Sequence, residues 1–188
     1  MSSTVLYMSM SLDGFIAGPN EGPGNGLGDG GDRLHDWALR GEVTGGDRQV
    51  FDEMMSTGAI VCGRGTYEPA NGWGGDHHDN VPVFVLTRRP DAHRPQWPGV
   101  TYVADVESAM SQAKAAAGEK DVLVHGAGTA QLALAAGVLD ELQIHLIPVL
   151  LGEGRPLFEH LGAGQRELEP TRVIEGSGVT HLRYRVRR

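Results

Sequence analysis

Residues 59–68, AIVCGRGTYE, decide the fold of this chain, because an uninterrupted apolar run ends there at a glycine and leads directly into a predicted helix. A short strand without polar positions is typical of a parallel sheet that is covered on both faces. Residues 121–130, DVLVHGAGTA, repeat the design with a second apolar run and a second Gly-x-Gly-Thr before a helix. Two such junctions predict an α/β fold.

Strands and helices alternate along most of the remaining chain. Further strands are predicted over residues 4–16, with a bend at Asp13-Gly14, and over 81–87 and 100–103; helices are predicted over 47–55, 106–117 and 129–136. The C-terminal part contains only strand-like runs, over 140–151, 168–175 and 179–186, the last two forming a hairpin around residues 176–178. The pattern predicts a single domain, residues 1–188, with a largely parallel sheet, helices on both sides and antiparallel strands added at its C-terminal edge.

Composition excludes several classes of protein. Sixteen basic and 24 acidic residues give a net charge of −8 without a Lys/Arg block, which argues against nucleic-acid binding. A 40% apolar and 21% charged content argues against a membrane protein and against a disordered chain. The single cysteine, Cys62, excludes an internal disulfide and a multi-cysteine zinc site. The first fourteen residues lack a signal-peptide pattern, so we expect a cytoplasmic protein.

Glycine is the unusual component, at 28 of 188 residues. Seven of these glycines lie in Gly18–Asp32, which contains almost no apolar residue. Long internal loops of this kind are usually functional or disordered. We predict that this segment is a mobile loop beside the ligand site.

The two Gly-x-Gly-Thr junctions are suited to binding phosphate. A glycine lets the backbone approach a ligand closely, and a helix N-terminus presents free N–H groups and a positive dipole end. Neither junction matches the dinucleotide fingerprint or the P-loop, and the alternative is that the glycines only form short turns. Arg64 at the first junction and Arg88 and Arg89 after the strand at 81–87 add guanidinium groups that match phosphate geometry, with ordinary solvated charge as the alternative.

An ordered set of motifs resembles a known family. The motifs are SLDGFIA at 11–17, VCGRGTYE at 61–68, VLTR at 85–88, GAGT at 126–129, and LDEL at 139–142 followed by PVLLGEG at 148–154. In this order they resemble the reductase domain found at the C-terminus of bifunctional riboflavin-biosynthesis deaminase-reductases, a dihydrofolate-reductase-like family. The resemblance spans about residues 4–186. It implies a three-layer α/β/α fold with a mixed central sheet, NADPH as cofactor, and a homodimer.

The resemblance also implies which residues hold the cofactor. Arg64 and Arg88 match positions at the adenosine 2′-phosphate, and Ala17 matches the position whose backbone meets the nicotinamide carboxamide. The remaining residues match the pyrophosphate and adenosine contacts: Gly63, Thr66, Leu86, Thr87, Gly126, Ala127, Gly128, Thr129 and Ala130. Two arginines at the adenosine end favour NADPH over NADH.

The substrate side is assigned to fewer residues. Asp13 is the candidate for substrate binding or proton delivery, with plain Asp-Gly turn chemistry as the alternative. Phe51 and Met55 lie on the helix that lines the pocket in the family, although an apolar stripe is also typical of core. Gly152 and Gly154 either border the nicotinamide or only bend a strand. An acidic residue on the helix after the first loop is not singled out among Asp47, Asp52 and Glu53.

The histidines in the sequence do not predict a metal site or a catalytic site. His77, His78 and Asp79 are adjacent, but neighbouring side chains rarely converge on one ion and no third distant ligand is evident, so we predict no metal site. His145 and His181 lie in predicted strands and are interpreted as hydrogen-bonded sheet histidines.

The sequence therefore predicts an NADPH-dependent reductase that transfers a hydride to a C=N or C=O of a small pterin- or pyrimidine-like heterocycle. One alternative is the 5-amino-6-(5-phosphoribosylamino)uracil reductase step of riboflavin synthesis. A second is a non-catalytic NADP(H)-binding dimeric module. The bifunctional enzyme itself is excluded, because Cys62 alone cannot supply the zinc ligands of a deaminase.

Overall fold

The computed structural model describes residues 2–22, 24–162 and 164–187. Its ten strands are β1 (Thr4–Ser11), β2 (Phe15–Ala17), β3 (Ala59–Gly63), β4 (Val83–Leu86), β5 (Val100–Val103), β6 (Val122–His125), β7 (Glu141–Ile147), β8 (Arg155–Pro156), β9 (Leu168–Gly176) and β10 (Val179–Val186). Eight strands form one sheet in the order β5-β4-β3-β6-β1-β7-β10-β9, and β2 and β8 form a separate pair.

The sheet is mixed and mostly parallel. β5, β4, β3, β6, β1 and β7 run parallel to one another. β10 is antiparallel to β7 and forms the predicted hairpin with β9, in which Val179 pairs with Gly176. The predicted fold class is confirmed, including the antiparallel C-terminal strands.

Helices cover both faces of this sheet. They are α1 (Asp36–Leu39), α2 (Gly45–Met55), α3 (Arg64–Tyr67), α4 (Val106–Ala117) and α5 (Ala127–Ala135). Alternate residues of β1 enter different cores: Leu6 and Met8 pack with α4 and α5, whereas Val5 and Tyr7 pack on the opposite face with Tyr67. Asp105 caps α4 by accepting a hydrogen bond from the Ser108 N–H at 2.8 Å, as its position predicts.

The first predicted strand differs from the structure. The sequence predicts one bent strand over residues 4–16, but β1 ends at Ser11 and the chain leaves the sheet. A turn forms because the Gly14 N–H donates to the Ser11 carbonyl, the Phe15 N–H donates to the Ser11 hydroxyl, and Gly14 adopts φ +93°. β2 then pairs with β8.

The glycine-rich loop is folded on itself. Gly22 and Asn25 exchange two backbone hydrogen bonds, and the Asn20 and Asn25 side chains donate to Asp29. Glu21 forms an ion pair with Arg155 on β8 at 2.6 Å. Pro23 lies outside the described residues. The predicted mobility of Gly18–Asp32 stays a prediction.

Two further findings concern the chain as a whole. Cys62 is fully buried in β3, and burial raises the pKa of its thiol well above the ordinary value. Within residues 2–22, 24–162 and 164–187, no helix combines the length and the apolar character needed to cross a membrane.

Candidate active site

A cavity of about 1090 Å³ opens where β3, β4 and β6 end, and it extends along β1. Its walls come from the glycine-rich loop, the segment from Asp32 to Leu39, α2, and the start of α5. Ligands of open α/β sheets bind at the carboxyl ends of strands, because the loops and helix N-termini converge there. This volume lies slightly above the range of about 300–1,000 Å³ that is usual for ligand pockets.

The two Gly-x-Gly-Thr junctions contact each other in the wall of this cavity. Gly126 has φ +90°, and a Cβ there would lie 2.3 Å from the Thr66 hydroxyl oxygen. A Cβ on Gly63 would lie 3.4 Å from the Thr129 hydroxyl oxygen. Each threonine therefore packs against the glycine of the other junction.

The contact between the two junctions leaves hydrogen-bonding groups available for a ligand. The Thr129 hydroxyl is buried and finds no hydrogen-bond partner in the described part of the chain. The first N–H groups of α5 cannot be bonded within the helix. Free N–H groups at the start of a helix, together with an unpaired hydroxyl, suit an anionic group such as a pyrophosphate.

Most residues that the sequence assigns to the cofactor do line the cavity. Those that line it are Ala17, Gly63, Thr66, Leu86, Thr87, Arg88, Gly126, Ala127, Gly128 and Thr129. The structure thus brings together residues from four separate segments, which lie at the ends of β2, β3 and β4 and directly after β6.

Arg64 and Ala130 are placed differently. Arg64 is not among the described residues that line the cavity, and its guanidinium binds the Glu68 carboxylate through contacts of 2.6 and 3.1 Å. Ala130 lies on the side of α5 that faces the hydrophobic core and is completely buried. The helical spacing of Arg64 and Glu68 explains the first difference, since residues four apart lie on the same helix face.

Asp13 lies outside the cavity lining and is exposed to solvent. Its carboxylate accepts hydrogen bonds from the Ser11 hydroxyl at 2.6 Å, the Gly152 N–H at 2.7 Å and the Leu151 N–H at 3.1 Å. The Ser11 hydroxyl and these backbone donors hold the pKa of Asp13 below its ordinary value. The geometry favours the turn interpretation, in which Asp13 fixes the loop after β7.

Of the other predicted substrate residues, one lines the cavity and three are not among its described lining residues. Phe51 lines the cavity, but Met54 lines it in place of Met55, because one residue along a helix rotates the side chain by about 100°. Gly152 donates to Asp13. Gly154 bends the chain against β2, where a Cβ would lie 2.0 Å from the Ala17 carbonyl oxygen. Both glycines shape the loop and neither is among the described lining residues.

A row of polar side chains lies beneath α1, and the sequence does not show that its members are neighbours. Ser9, His145 and His181 are register partners across β1, β7 and β10. The Trp37 indole N–H donates to the Ser9 hydroxyl at 3.0 Å, and the Trp37 ring lies 4.5 Å from the His145 ring. The interpretation of both histidines as hydrogen-bonded is incomplete, because Nε2 of His145 is buried and unpaired within the described residues. Strand register, which the sequence does not give, was the missing information.

A second group of histidines lines the opposite wall. His77 packs edge-on against Trp73, with ring centres 4.8 Å apart, and lies 5.7 Å from His125. Burial lowers the pKa of His77 to about 4 and that of His125 to about 3, so both rings are neutral at pH 7. Among the described residues, no group of three His, Cys, Asp or Glu side chains is arranged to hold a metal ion.

Comparison with known proteins assigns the family. The model of the RibD C-terminal domain matches residues 3–182. This chain belongs to that family. A Bacillus subtilis (strain 168) protein called YwjB, itself named as uncharacterized, is 30% identical over 171 residues, which cover 84% of this chain and 83% of YwjB.

Solved structures show the same fold. A Shewanella sp. PV-4 protein whose name assigns it to riboflavin biosynthesis is 24% identical, with a TM-score of 0.75 over 99% of both chains. Dihydrofolate reductase from Enterococcus faecalis, solved in complex with NADP(H) and RAB-propyl, is 22% identical, with a TM-score of 0.61 over 99% of this chain and 97% of that one. The RibD C-terminal family and dihydrofolate reductase thus share one architecture, which this chain adopts.

Proposed function

We propose that this chain is an NADPH-dependent reductase that transfers a hydride to a C=N or C=O of a small heterocycle. The observation that carries the proposal is the contact between the two junctions in the wall of a large cavity, where the Thr129 hydroxyl at the start of α5 is buried without a hydrogen-bond partner among the described residues. Family membership supports a reductase of the riboflavin-biosynthesis type.

The cavity residues fit a dinucleotide. The start of α5, Thr66 and Thr129 would hold the pyrophosphate, and Leu86, Thr87 and Arg88 at the end of β4 would hold the adenosine half. Ala17 on β2 would meet the nicotinamide, which when bound supplies the hydride. We assign the 2′-phosphate to Arg88 in preference to Arg64, because Arg64 is already paired with Glu68.

The substrate would lie beyond the nicotinamide. Tyr7, Trp37, Phe51 and Met54 line this end and offer apolar and aromatic surface for a flat ring. Asp13 keeps the loop at Leu151 and Gly152 in place and is not needed in contact with substrate.

The family match favours one specific candidate, the reduction of 5-amino-6-(5-phosphoribosylamino)uracil. Oxidation of NADPH by the purified protein with that compound would support it. NADPH binding without turnover of that compound or of any carbonyl or pterin compound in a panel would instead support the non-catalytic module.

The adenosine-end assignment is tested with arginine variants. Arg88→Ala should weaken NADPH binding by about tenfold or more, equivalent to about 1.4 kcal/mol, and leave NADH binding nearly unchanged, because only NADPH carries the 2′-phosphate. Cofactor fluorescence titration measures both affinities.

Arg89→Ala is the matched control, since Arg89 follows directly, is exposed and is not among the described lining residues. Arg64→Ala should have a smaller effect than Arg88→Ala. Equal affinity of the unmodified protein for NADPH and NADH, unchanged by Arg88→Ala, would overturn the assignment.

We further propose a homodimer through the edge of the sheet. β9 is the last strand in the order, and its Val173 side chain is exposed. A strand at the edge of a sheet presents unpaired backbone N–H and C=O groups, which can pair with the edge of a second copy. Sedimentation over a range of protein concentrations measures the mass in solution.

A further inference from the structure

Three buried side chains form a continuous hydrogen-bonded chain that ends at the substrate end of the cavity. Asp47, near the start of α2, lies 2.8 Å from Nε2 of His181, and Nδ1 of His181 lies 2.9 Å from Nδ1 of His145. All three residues are at least 95% buried. His145 lines the cavity.

The carboxylate sets the direction of every bond in this chain. An ionised carboxylate only accepts hydrogen bonds: one oxygen of Asp47 accepts from the Ser177 N–H at 3.0 Å, so the other accepts from Nε2–H of His181. Burial holds the pKa of both histidines below the ordinary value, so each ring is neutral and carries one proton at pH 7. Nδ1 of His181 is then a lone pair, and Nδ1–H of His145 must donate to it.

One acceptor remains at the end of the chain. With Nδ1 of His145 occupied, its Nε2 carries a lone pair, is buried, and finds no partner within the described residues. A buried acceptor left unpaired costs about 1–3 kcal/mol, which a ligand N–H would recover.

The groups that face the two imidazole rings do not change the direction of these hydrogen bonds. His145 faces Tyr7 on β1, Trp37 on α1, His35 just before α1, and His125 at the end of β6. Burial also lowers the pKa of His35 and His125, and Arg172 on β9 disfavours a charge on His181. The Asp47 carboxylate favours a charge on His181, but burial outweighs it, so the pKa of His181 stays below the ordinary value and the ring is neutral at pH 7.

We propose that His145 Nε2 is the hydrogen-bond acceptor that selects the substrate, and that Asp47 and His181 are positioning residues that fix its tautomer. The substrate would be a flat heterocycle that presents a ring N–H or an amino group to His145. Naming this ligand as substrate rests on the proposed reductase function; the tautomer does not.

The tautomer is tested directly by 15N NMR of the histidine rings. In the unmodified protein at pH 7, His145 should show an unprotonated Nε2 and a protonated Nδ1. A protonated Nε2 on His145 would overturn the proposal without any variant being made.

Asp47→Asn should exchange donor and acceptor in each hydrogen bond from residue 47 to His145. The Ser177 N–H still requires an acceptor, so the amide oxygen faces Ser177 and the amide NH2 donates to Nε2 of His181. His181 then donates from Nδ1 to Nδ1 of His145, and His145 presents Nε2–H to the cavity. Asp52→Asn on the exposed face of the same helix is the control and should leave the ring spectrum unchanged.

Ligand preference supplies the second readout. The probes are 2-aminopyrimidine, which has an amino donor, and 2-(dimethylamino)pyrimidine, which has none. The unmodified protein and Asp52→Asn should bind the first at least tenfold more tightly, and Asp47→Asn should lose that preference. Equal binding of both probes to the unmodified protein, or an unchanged ratio in folded Asp47→Asn, would overturn the proposal.

NADPH titration of the same samples keeps the two proposals apart. Failure to bind NADPH counts against the reductase function alone. Normal NADPH binding without the probe preference counts against the role of His145 alone.

Discussion

Gly126 and Gly128 stand two positions apart at the start of α5 but occupy different surroundings. Gly126 has φ +90° and lies against the Thr66 hydroxyl, whereas Gly128 is helical and a Cβ there would meet no atom within 4 Å. Only the first glycine is required by the fold itself. The second leaves open space that faces the cavity.

Alanine at these two positions should therefore give opposite results. Gly126→Ala should lower the free energy of unfolding by about 2 kcal/mol or more, because it adds backbone strain and a clash with Thr66. Gly128→Ala should leave stability unchanged or raise it by about 0.5–1 kcal/mol, as expected for alanine in a helix, while weakening NADPH binding. Urea unfolding and cofactor titration measure the two effects; tight NADPH binding by Gly128→Ala would contradict a pyrophosphate at this helix.

The sequence locates single residues where local elements determine their position. The glycine and threonine of each junction lie between a strand and a helix, so the sequence placed them at a strand end, whereas the contact between the two junctions depends on strand order. Their role in binding a cofactor stays a prediction. The Arg64–Glu68 pair was also readable from its i,i+4 spacing, although the sequence analysis assigned Arg64 to phosphate. Asp13 could not be placed, because its partners at Leu151 and Gly152 are far away along the chain.

Among elements, α2 is held to the sheet by charged contacts at both ends. Asp47 at its start contacts His181, and Glu53 near its end accepts two hydrogen bonds from Arg172 on β9. Asp52, the neighbour of Glu53, forms only an exposed pair with Arg48 on the same helix. Of these two adjacent carboxylates, Glu53 therefore joins α2 to β9, whereas Asp52 forms only a surface ion pair within α2.

Replacing each carboxylate by alanine tests this difference. Glu53→Ala should lower the free energy of unfolding by about 2 kcal/mol, because it leaves the half-buried Arg172 without its carboxylate partner. Asp52→Ala should change it by less than about 0.5 kcal/mol. Urea denaturation at pH 7 provides both values, and equal effects would show that the Glu53–Arg172 contact stabilises the fold no more than a surface ion pair does.

Element boundaries were predictable where capping residues mark them, as at Asp105 and Gly118 of α4. They were not predictable where the chain leaves the sheet for tertiary reasons. β1 ends at Ser11 although Phe15 and Ile16 continue the apolar pattern, because β2 pairs with β8, more than a hundred residues away.

At the scale of the whole molecule, several buried histidines make stability depend on pH. Burial lowers the pKa of His35, His77, His125, His145 and His181. In the unfolded chain each takes up a proton near pH 6.5, whereas in the folded chain His77 resists protonation to about pH 4 and His125 to about pH 3. The unfolded state therefore binds more protons below pH 6.5, and stability falls as the pH falls.

Thermal melting between pH 7 and pH 5 should show this loss. His77 and His125 should each contribute about 2 kcal/mol over the interval from pH 6.5 to 5. His77→Gln should reduce the loss by the share of His77 and leave that of the other histidines, whereas His160→Gln, at an exposed position, should leave the dependence unchanged. A melting temperature that stays constant down to pH 5 would contradict the buried, neutral histidines.

The overall topology was predictable in kind but not in order. Alternating strands and helices implied a parallel sheet, yet nothing local indicates that β1 lies between β6 and β7 or that β9 is the outer strand. Those neighbours place Ser9, His145 and His181 in one row. The hydrogen bond between the two histidines therefore could not be predicted from the sequence.

The buried thiol of Cys62 has a practical consequence. Because the thiolate is the reactive form and burial disfavours it, this chain should give almost no background with thiol-reactive dyes. A cysteine introduced at Gly22, where a side chain meets no atom within 4 Å, would then be the single attachment point for a fluorophore. The anisotropy of that dye, with and without nicotinamide cofactor, would follow the glycine-rich loop in real time.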